Sequence, residues 1–293
     1  MNGILVIDKP AGPTSFDVVR RVRSLLKVEK AGHTGTLDPR ATGVLPICVG
    51  AATKIAGFIS EGKKSYDALI RLGIETDTHD AGGQPVAQAP VPHLSAPLLE
   101  AVLAKFRGSY LQVPPMFSAI RVAGKRLHEL ARAGQTIPRE PRPVEVYELA
   151  LRDFSSTEIA ISLTCSKGFF VRALARDVGR ALSCGGHLKA LRRTASGPFT
   201  VEQALTLQKL AELASRSDGG QAVRREMISL NDALVDMPAI QVSAADAQRV
   251  AHGVPIECAA GTGRVRVLGP DGALLAIAEL GKGPRLHYHR VLV

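Results

Sequence analysis

The 293-residue sequence contains no tryptophan, and only 4% of it is aromatic. A core made without such residues is filled by Val, Leu, Ile and Ala, and a hydrophobic fraction of 45% is ample for that. Cysteine is scarce as well: Cys48, Cys165, Cys184 and Cys258 stand far apart. None forms a C-x-x-C pair, so neither a zinc site nor a thioredoxin-type motif is indicated. Scattered single cysteines in a chain this long read as small buried hydrophobes in a reducing compartment. Long apolar runs are missing too. The run at residues 4–7 ends at Asp8, has no basic stretch before it, and nothing later reaches the ~20 apolar residues that span a bilayer. The expectation is a soluble, cytoplasmic protein with no membrane partner. Neither G-x-x-x-x-G-K-[ST] nor G-x-G-x-x-G occurs near the Gly-rich segment 32–39. Segment 77–82 puts Ala81 where an EF-hand loop needs a ligand. The common nucleotide and calcium chemistries are therefore unsupported.

Acidic residues are the remaining deficit, 27 against 37 Lys and Arg, for a net charge of +10. Such a surplus suits a polyanionic partner, because each neutralised phosphate releases condensed counterions. A merely soluble basic protein is the alternative. The distribution favours the first reading. Residues 167–193 hold Lys167, Arg172, Arg176, Arg180, Lys189, Arg192 and Arg193 against one acid, Asp177. Residues 121–145 hold six basic residues against three acids. A phosphate-binding surface requires that kind of concentration.

At about twice a typical domain length, the chain reads as one large domain plus a small one. Strands are expected at 3–7, 44–49, 66–72, 119–122, 144–151 and 158–164. A helix begins at Thr14 or Ser15, where Thr14 and Asp17 have capping-box spacing and Val18, Val19, Val22, Leu25 and Leu26 form the apolar stripe. Further helices are expected at 53–59, 98–106, 126–133 and from 166–168 to about 182. Residues 30–40 and 75–84 read as loops, 85–97 as a Pro-rich connector and 215–225 as a linker. Beyond 237, a helix at 244–251 precedes strands at 265–268 and 274–280, which flank the turn sequence Pro270-Asp271-Gly272. Strands and helices alternate without a regular βαβ rhythm, so the fold class is α+β with a mixed sheet. The boundaries expected are a catalytic domain over 1–230, with a basic insert near 119–145, and a small β-rich domain over 236–293.

One carboxylate stands in a conformationally unusual loop. In Gly32-His33-Thr34-Gly35-Thr36-Leu37-Asp38-Pro39, the glycines permit positive φ or close approach. Pro39 disfavours the α region for Asp38. Asp38 either caps the following turn or is offered to a substrate. With an ordinary carboxyl pKa of about 3.9 it is already anionic at neutral pH and needs no activating base.

The same segment, continued through Arg40-Ala41-Thr42-Gly43-Val44-Leu45-Pro46, resembles the signature of TruB-type tRNA pseudouridine-55 synthases. So do Gly3-Ile4-Leu5-Val6-Ile7-Asp8-Lys9-Pro10, Arg71-Leu72-Gly73 with Thr76-Asp77-Thr78, and Val113-Pro114-Pro115-Met116-Phe117-Ser118-Ala119. Cys165-Ser166-Lys167-Gly168 leading to Arg172, and Gly185-Gly186-His187 followed by Leu191-Arg192-Arg193, complete the set. These blocks fall in family order over roughly residues 1–200. The carboxyl-terminal part resembles, more loosely, the PUA-like domain of such enzymes.

The resemblance implies isomerisation of a T-loop uridine of tRNA, position 55, to pseudouridine. The N1–C1′ bond breaks, the uracil turns, and C5 joins C1′. It implies Asp38 as nucleophile, at either C1′ or C6, and Arg172 as the arginine that pairs with it. It also implies Tyr66 stacked on the uracil with its hydroxyl near the C5 proton, Leu191 against the other side of the base, and His33 in contact with the flipped-out nucleotide. Where the family commonly has tyrosine two residues before the arginine, this chain has Phe170, which keeps the packing and loses a hydroxyl. The reaction needs no cofactor and no metal. The partner implied is the T-arm stem-loop of tRNA, held by the basic insert as a mobile clamp, with the enzyme a monomer. An RNA-binding or RNA-folding protein without catalysis, and a synthase acting on another RNA, are the competing readings.

Overall fold

Along Lys64–Leu72 the residues Ala68, Ile70 and Leu72 alternate with Asp67, Leu69 and Arg71, a period of two that decides which face of a sheet is buried. The structure, a computed structural model, describes residues 1–293 except 123, 259, 260, 282, 284 and 293. It is α+β and comprises two units. One is Met1–Asp38, Val44–Gly62 and Ser196–Val293; the other is Pro39–Gly43 and Lys63–Ala195.

In the second unit the strands run in the order Gly186–Ser196, Lys64–Leu72, Glu158–Cys165, Arg142–Phe154, Gly108–Gln112. Lys64–Leu72 is antiparallel to Glu158–Cys165, with Tyr66 opposite Leu163. Ala68, Ile70, Leu72, Ile159, Ile161 and Leu163 pack against Leu99, Val102 and Leu103 of the helix Ala96–Ala104 and against Leu174, Ala175 and Val178 of the helix Val171–Ala181. That second helix is buried on nearly every side. Gly179 makes this feasible, since a Cβ there would overlap the backbone of Gly185 and Gly186.

In the first unit, Gly3–Lys9 neighbours Thr42–Val49, which also carries Ala31–His33 in antiparallel register, His33 opposite Ile47. The helix Ser15–Leu26 starts at the expected capping box: the Thr14 hydroxyl accepts from Asp17 N. Val18, Val19 and Val22 form its buried stripe. The carboxyl-terminal sheet has the order Ala239–Gln241, Gly263–Leu268, Leu274–Leu280, His287–Val291. Its Leu274 and Ile277 join Ile4, Val6, Val44, Ile55 and Ile59 in one core, while Val265, Val267 and Ala276 pack with Val250 and Ile256 in another. The carboxyl-terminal sheet therefore shares apolar core with the amino-terminal strands within one unit. No helix among the described residues is long and apolar enough to cross a membrane.

One strand was not foreseen and two expectations are corrected. Gly186–Ser196 is a long strand, although His187-Leu188-Lys189-Ala190-Leu191-Arg192-Arg193 lacks period-two alternation. Its burial pattern is equally irregular, so the sheet's neighbours rather than local propensity impose the extended state. The polar stretch placed as a linker contains the helix Gly219–Arg225, whose Ala222 and Val223 are buried. Within the expected loop and connector, Ile74–Thr76 pairs antiparallel with Pro85–Gln88.

Candidate active site

Asp38 is held by its neighbours on the chain. Leu37, one residue earlier, is buried, and the Ser15 hydroxyl meets it twice, donating to Leu37 O at 3.0 Å and accepting from Leu37 N at 2.8 Å. Upstream, Thr34 N donates to Pro46 O at 3.2 Å. Downstream, Thr42 and Gly43 stand in parallel register with Arg192 and Arg193. Gly43 has φ +100°, and a Cβ there would overlap the Arg193 backbone. That backbone approach explains the glycine. Asp38 thus lies half-buried between two anchored segments. A turn at residues 39 and 40 follows it, and no helix follows until Gly50–Ile55.

His33 is the last residue of Ala31–His33, in the same unit as Asp38, and is half-buried. The other four candidates lie in the second unit. Tyr66 is on Lys64–Leu72 and packs, partly buried, on the apolar core together with Leu191. The Leu191 carbonyl accepts from the Thr42 hydroxyl at 3.4 Å, four residues along the chain from Asp38. Phe170 immediately precedes the helix Val171–Ala181, and Arg172 is that helix's second residue.

Arg172 is only 7% exposed. Its Nη2 donates to Phe117 O at 2.8 Å and its Nη1 to Thr78 O at 3.2 Å, while Nη1 lies 3.8 Å from the Asp80 carboxylate. A buried guanidinium tolerates this place because its fixed fork of donors is met by carbonyls and a carboxylate. Asp80 is itself fixed, accepting from the Thr78 hydroxyl at 2.7 Å and from Gly82 N at 2.8 Å. Thr78 and Phe117 fall within motif blocks legible in the sequence, but nothing there assigned them to Arg172. Asp80 lies two residues beyond such a block, and its role required the fold.

Two titratable groups in this unit went unnoticed in the sequence. His79 is 8% exposed, with φ +60°. Burial, and then the charges of Arg176, Arg172, Arg180 and Arg139, push its pKa down to about 3, so it is neutral. Lys64 is buried, and burial followed by the charge of Arg193 lowers its pKa to about 8. The unit also has a cavity of about 670 Å³ whose lining includes Arg40, Arg152, Arg192, Asp67, Leu69 and Leu191. Three guanidiniums around an apolar floor match the chemistry of a nucleotide: phosphate for the cations, base and ribose for the floor.

The burial of Arg172, Arg176 and Arg193 corrects the reading of 167–193 as a phosphate-binding surface. Part of that charge is interior. In the other basic segment, Arg121–Val122 and Lys125–Arg126 form a small hairpin followed by the helix Leu127–Arg132, and Arg121, Lys125 and Arg126 are exposed.

Comparison with known proteins agrees with these motifs. The TruB family pseudouridylate synthase N-terminal domain matches residues 23–171. The tRNA pseudouridylate synthase B C-terminal domain matches 172–236, and the tRNA pseudouridine synthase II C-terminal domain matches 237–292. A tRNA pseudouridine synthase B from Francisella philomiragia is 44% identical over 97% of this chain and 92% of its own length. Its namesake from Pseudomonas fluorescens is 42% identical over 100% of this chain and 96% of its own. Among solved structures, a chain of a Cbf5-Nop10-Gar1 complex superposes with a TM-score of 0.80 at 24% identity, covering 99% of this chain and 85% of that one. That last likeness is one of fold.

Proposed function

The chain belongs to the TruB family of pseudouridylate synthases, and on that premise we propose that it isomerises uridine 55 in the T loop of tRNA to pseudouridine, with Asp38 as nucleophile. The observation that carries this is the setting of Asp38: a half-buried carboxylate between Leu37, fixed twice by Ser15, and the Thr42–Gly43 segment paired with Arg192 and Arg193. A group so restrained approaches a substrate atom with little ordering cost. Base flipping delivers the uridine, at a cost of a few kcal/mol. Asp38 attacks C1′ or C6, the N1–C1′ bond breaks, and the turned uracil joins through C5. The C5 proton leaves and N1 gains one, so the atoms balance without a co-reactant.

Arg172 keeps the carboxylate ionised and aligned, Tyr66 stacks on the base, and Leu191 packs on its other side. His33 and Phe170 line the nucleotide. The phosphates flanking the target lie along Arg40, Arg152 and Arg192. The segment 119–145, residue 123 of which lies outside the described residues, closes over the T-arm. Residues 1–230 act as the catalytic domain, and 236–293 as a PUA-like domain adding an RNA contact. The enzyme works as a cytoplasmic monomer, a setting that suits its unpaired, mostly buried cysteines.

The test incubates purified protein with an unmodified tRNA transcript in EDTA, then maps pseudouridine by carbodiimide labelling and primer extension. One new stop in the T loop is expected. Asp38→Asn should lower the rate by on the order of 10³-fold or more while leaving RNA binding within threefold. Tight binding without a stop would favour the RNA-binding reading, a stop in another RNA would redirect the substrate, and turnover by Asp38→Asn would remove the nucleophile.

A further inference from the structure

A helix begins with backbone N–H groups that have no partner within it. Phe170, the residue at which Val171–Ala181 starts, offers no side-chain hydrogen bond to them. The start of this helix is instead held from outside by Gln112, which is 2% exposed. Its carboxamide oxygen accepts from Phe170 N at 2.9 Å. Its Nε2 donates to Phe170 O at 3.2 Å and to the Tyr110 hydroxyl at 3.2 Å. Both donors and the acceptor of the amide are therefore used. A buried amide satisfied at every position holds its partners in one arrangement, and any rotation would leave a polar group unmet in the interior.

The residues that follow Gln112 grip the same helix. Val113 O accepts from Arg176 Nη2 at 3.3 Å, and Phe117 O accepts from Arg172 Nη2 at 2.8 Å. Segment 112–117 is thus a strap with three attachments: one on the backbone where the helix begins, and two on guanidiniums that the helix projects. Gln112 is the last residue of the strand Gly108–Gln112, opposite Arg142. The strap is consequently anchored to the sheet at the end nearer the helix start.

We propose that Gln112 is a positioning residue for Arg172: it fixes the backbone two residues before the arginine and, through the strap, the carbonyl that orients its guanidinium. This rests on the reading that Arg172 aligns Asp38. The physical consequence is steep, because a displacement of about 1 Å at a reacting group costs on the order of 10²-fold in rate. Gln112 touches no substrate. Its loss should therefore appear in the turnover step and hardly at all in RNA affinity.

The test measures single-turnover rates with enzyme in saturating excess over unmodified tRNA, and the tRNA Kd by filter binding, for Gln112→Met, Arg172→Lys and the double variant. Gln112→Met keeps the length of the side chain and removes all three hydrogen bonds. A 10- to 100-fold slower turnover with Kd within threefold is expected. In the Arg172→Lys background the same change should cost less than a further threefold, since the group being positioned is already compromised. Additive losses, or a loss in Kd matching that in rate, would overturn the proposal and leave Gln112 a structural residue. If Arg172→Lys alone stays within twofold of the parent rate, the assignment of Arg172 fails, and the role of Gln112 falls with it. Should Gln112→Met fail to fold, Gln112→Asn keeps the site polar but withdraws the amide by one methylene, and the same cycle decides with that variant.

Discussion

In residues 121–126, Arg121, Lys125 and Arg126 stand in solvent on a small hairpin, whereas in 167–193 Arg172, Arg176 and Arg193 are 7%, 5% and 1% exposed. Both stretches have the same sign of charge. Counting charges along the chain assigns them one task, and folding gives them two. The exposed set faces water, with Arg126 3.9 Å from the Glu129 carboxylate, and can exchange such partners and counterions for phosphates. The buried set is engaged: Arg172 meets Phe117 O, Thr78 O and Asp80, and Arg176 meets Asp177 and Val113 O. Apolar company marks the difference. Arg172 and Arg176 are interspersed with Val171, Leu174, Ala175 and Val178, all buried, while Arg121, Lys125 and Arg126 are followed by one buried residue, Leu127. Arginine suits the interior because its charge is delocalised and its donors are fixed in a plane.

The contrast is broken most directly at Arg176. Arg176→Ala should destabilise the protein by about 3 kcal/mol, the scale for removing one partner of a buried ion pair, because Asp177 then loses the Nε contact at 2.7 Å. The tRNA affinity of the folded protein should change less than threefold. Urea unfolding with the parent as reference gives the first quantity, and filter binding at a temperature where the variant is folded gives the second. A large loss of affinity with stability intact would return Arg176 to the phosphate-binding set.

His79 sharpens the comparison, because its titration reports its own burial first and then the field of the neighbouring arginines. It is neutral when folded, with a pKa of about 3, whereas an unfolded histidine protonates near 6.5. Between those values the unfolded chain binds the extra proton. The stability held above pH 6.5 is therefore lost as pH falls towards 3. Between pH 7.5 and pH 5 the loss amounts to about 2 kcal/mol. His79→Gln should flatten the difference in unfolding free energy between those two pH values by that amount. An unchanged acid slope in the variant would mean that His79 is protonated in the folded state.

How much of this was legible in the sequence varies with the physics of each part. The capping box at Thr14, the antiparallel pair Arg142–Phe154 with Glu158–Cys165, and the carboxyl-terminal turn at Gly272 all rest on local signals, and the structure has them. Gly186–Ser196 was not legible, because its extended state is imposed by its neighbours rather than by its own pattern. Asp38 stood out through Pro39 and the glycines around it. The partners of Arg172 did not, as Thr78, Asp80 and Phe117 lie 55 to 94 residues away along the chain. Gln112 sits one residue before a recognisable block, and only its two contacts with Phe170 give it a role.

The smallest effect is expected at the exposed hairpin, where it tests the other half of the comparison. Replacing Arg121, Lys125 and Arg126 together with Gln removes three charges that make no contribution to the apolar core. Stability should move by under about 1 kcal/mol, as exposed charges contribute little to it. Affinity for tRNA should fall about tenfold near 0.1 M salt, and the slope of log K against log salt should become shallower by about two to three, close to one per lost phosphate contact. At saturating tRNA the turnover rate should stay within twofold. The slope is the decisive quantity, because a general loosening of the insert would weaken binding at every salt concentration and leave the slope where it was. An unchanged slope would mean that these exposed cations contact no phosphate, and the division between a solvent-facing set that binds RNA and an interior set that builds the site would have to be redrawn around Arg40, Arg152 and Arg192.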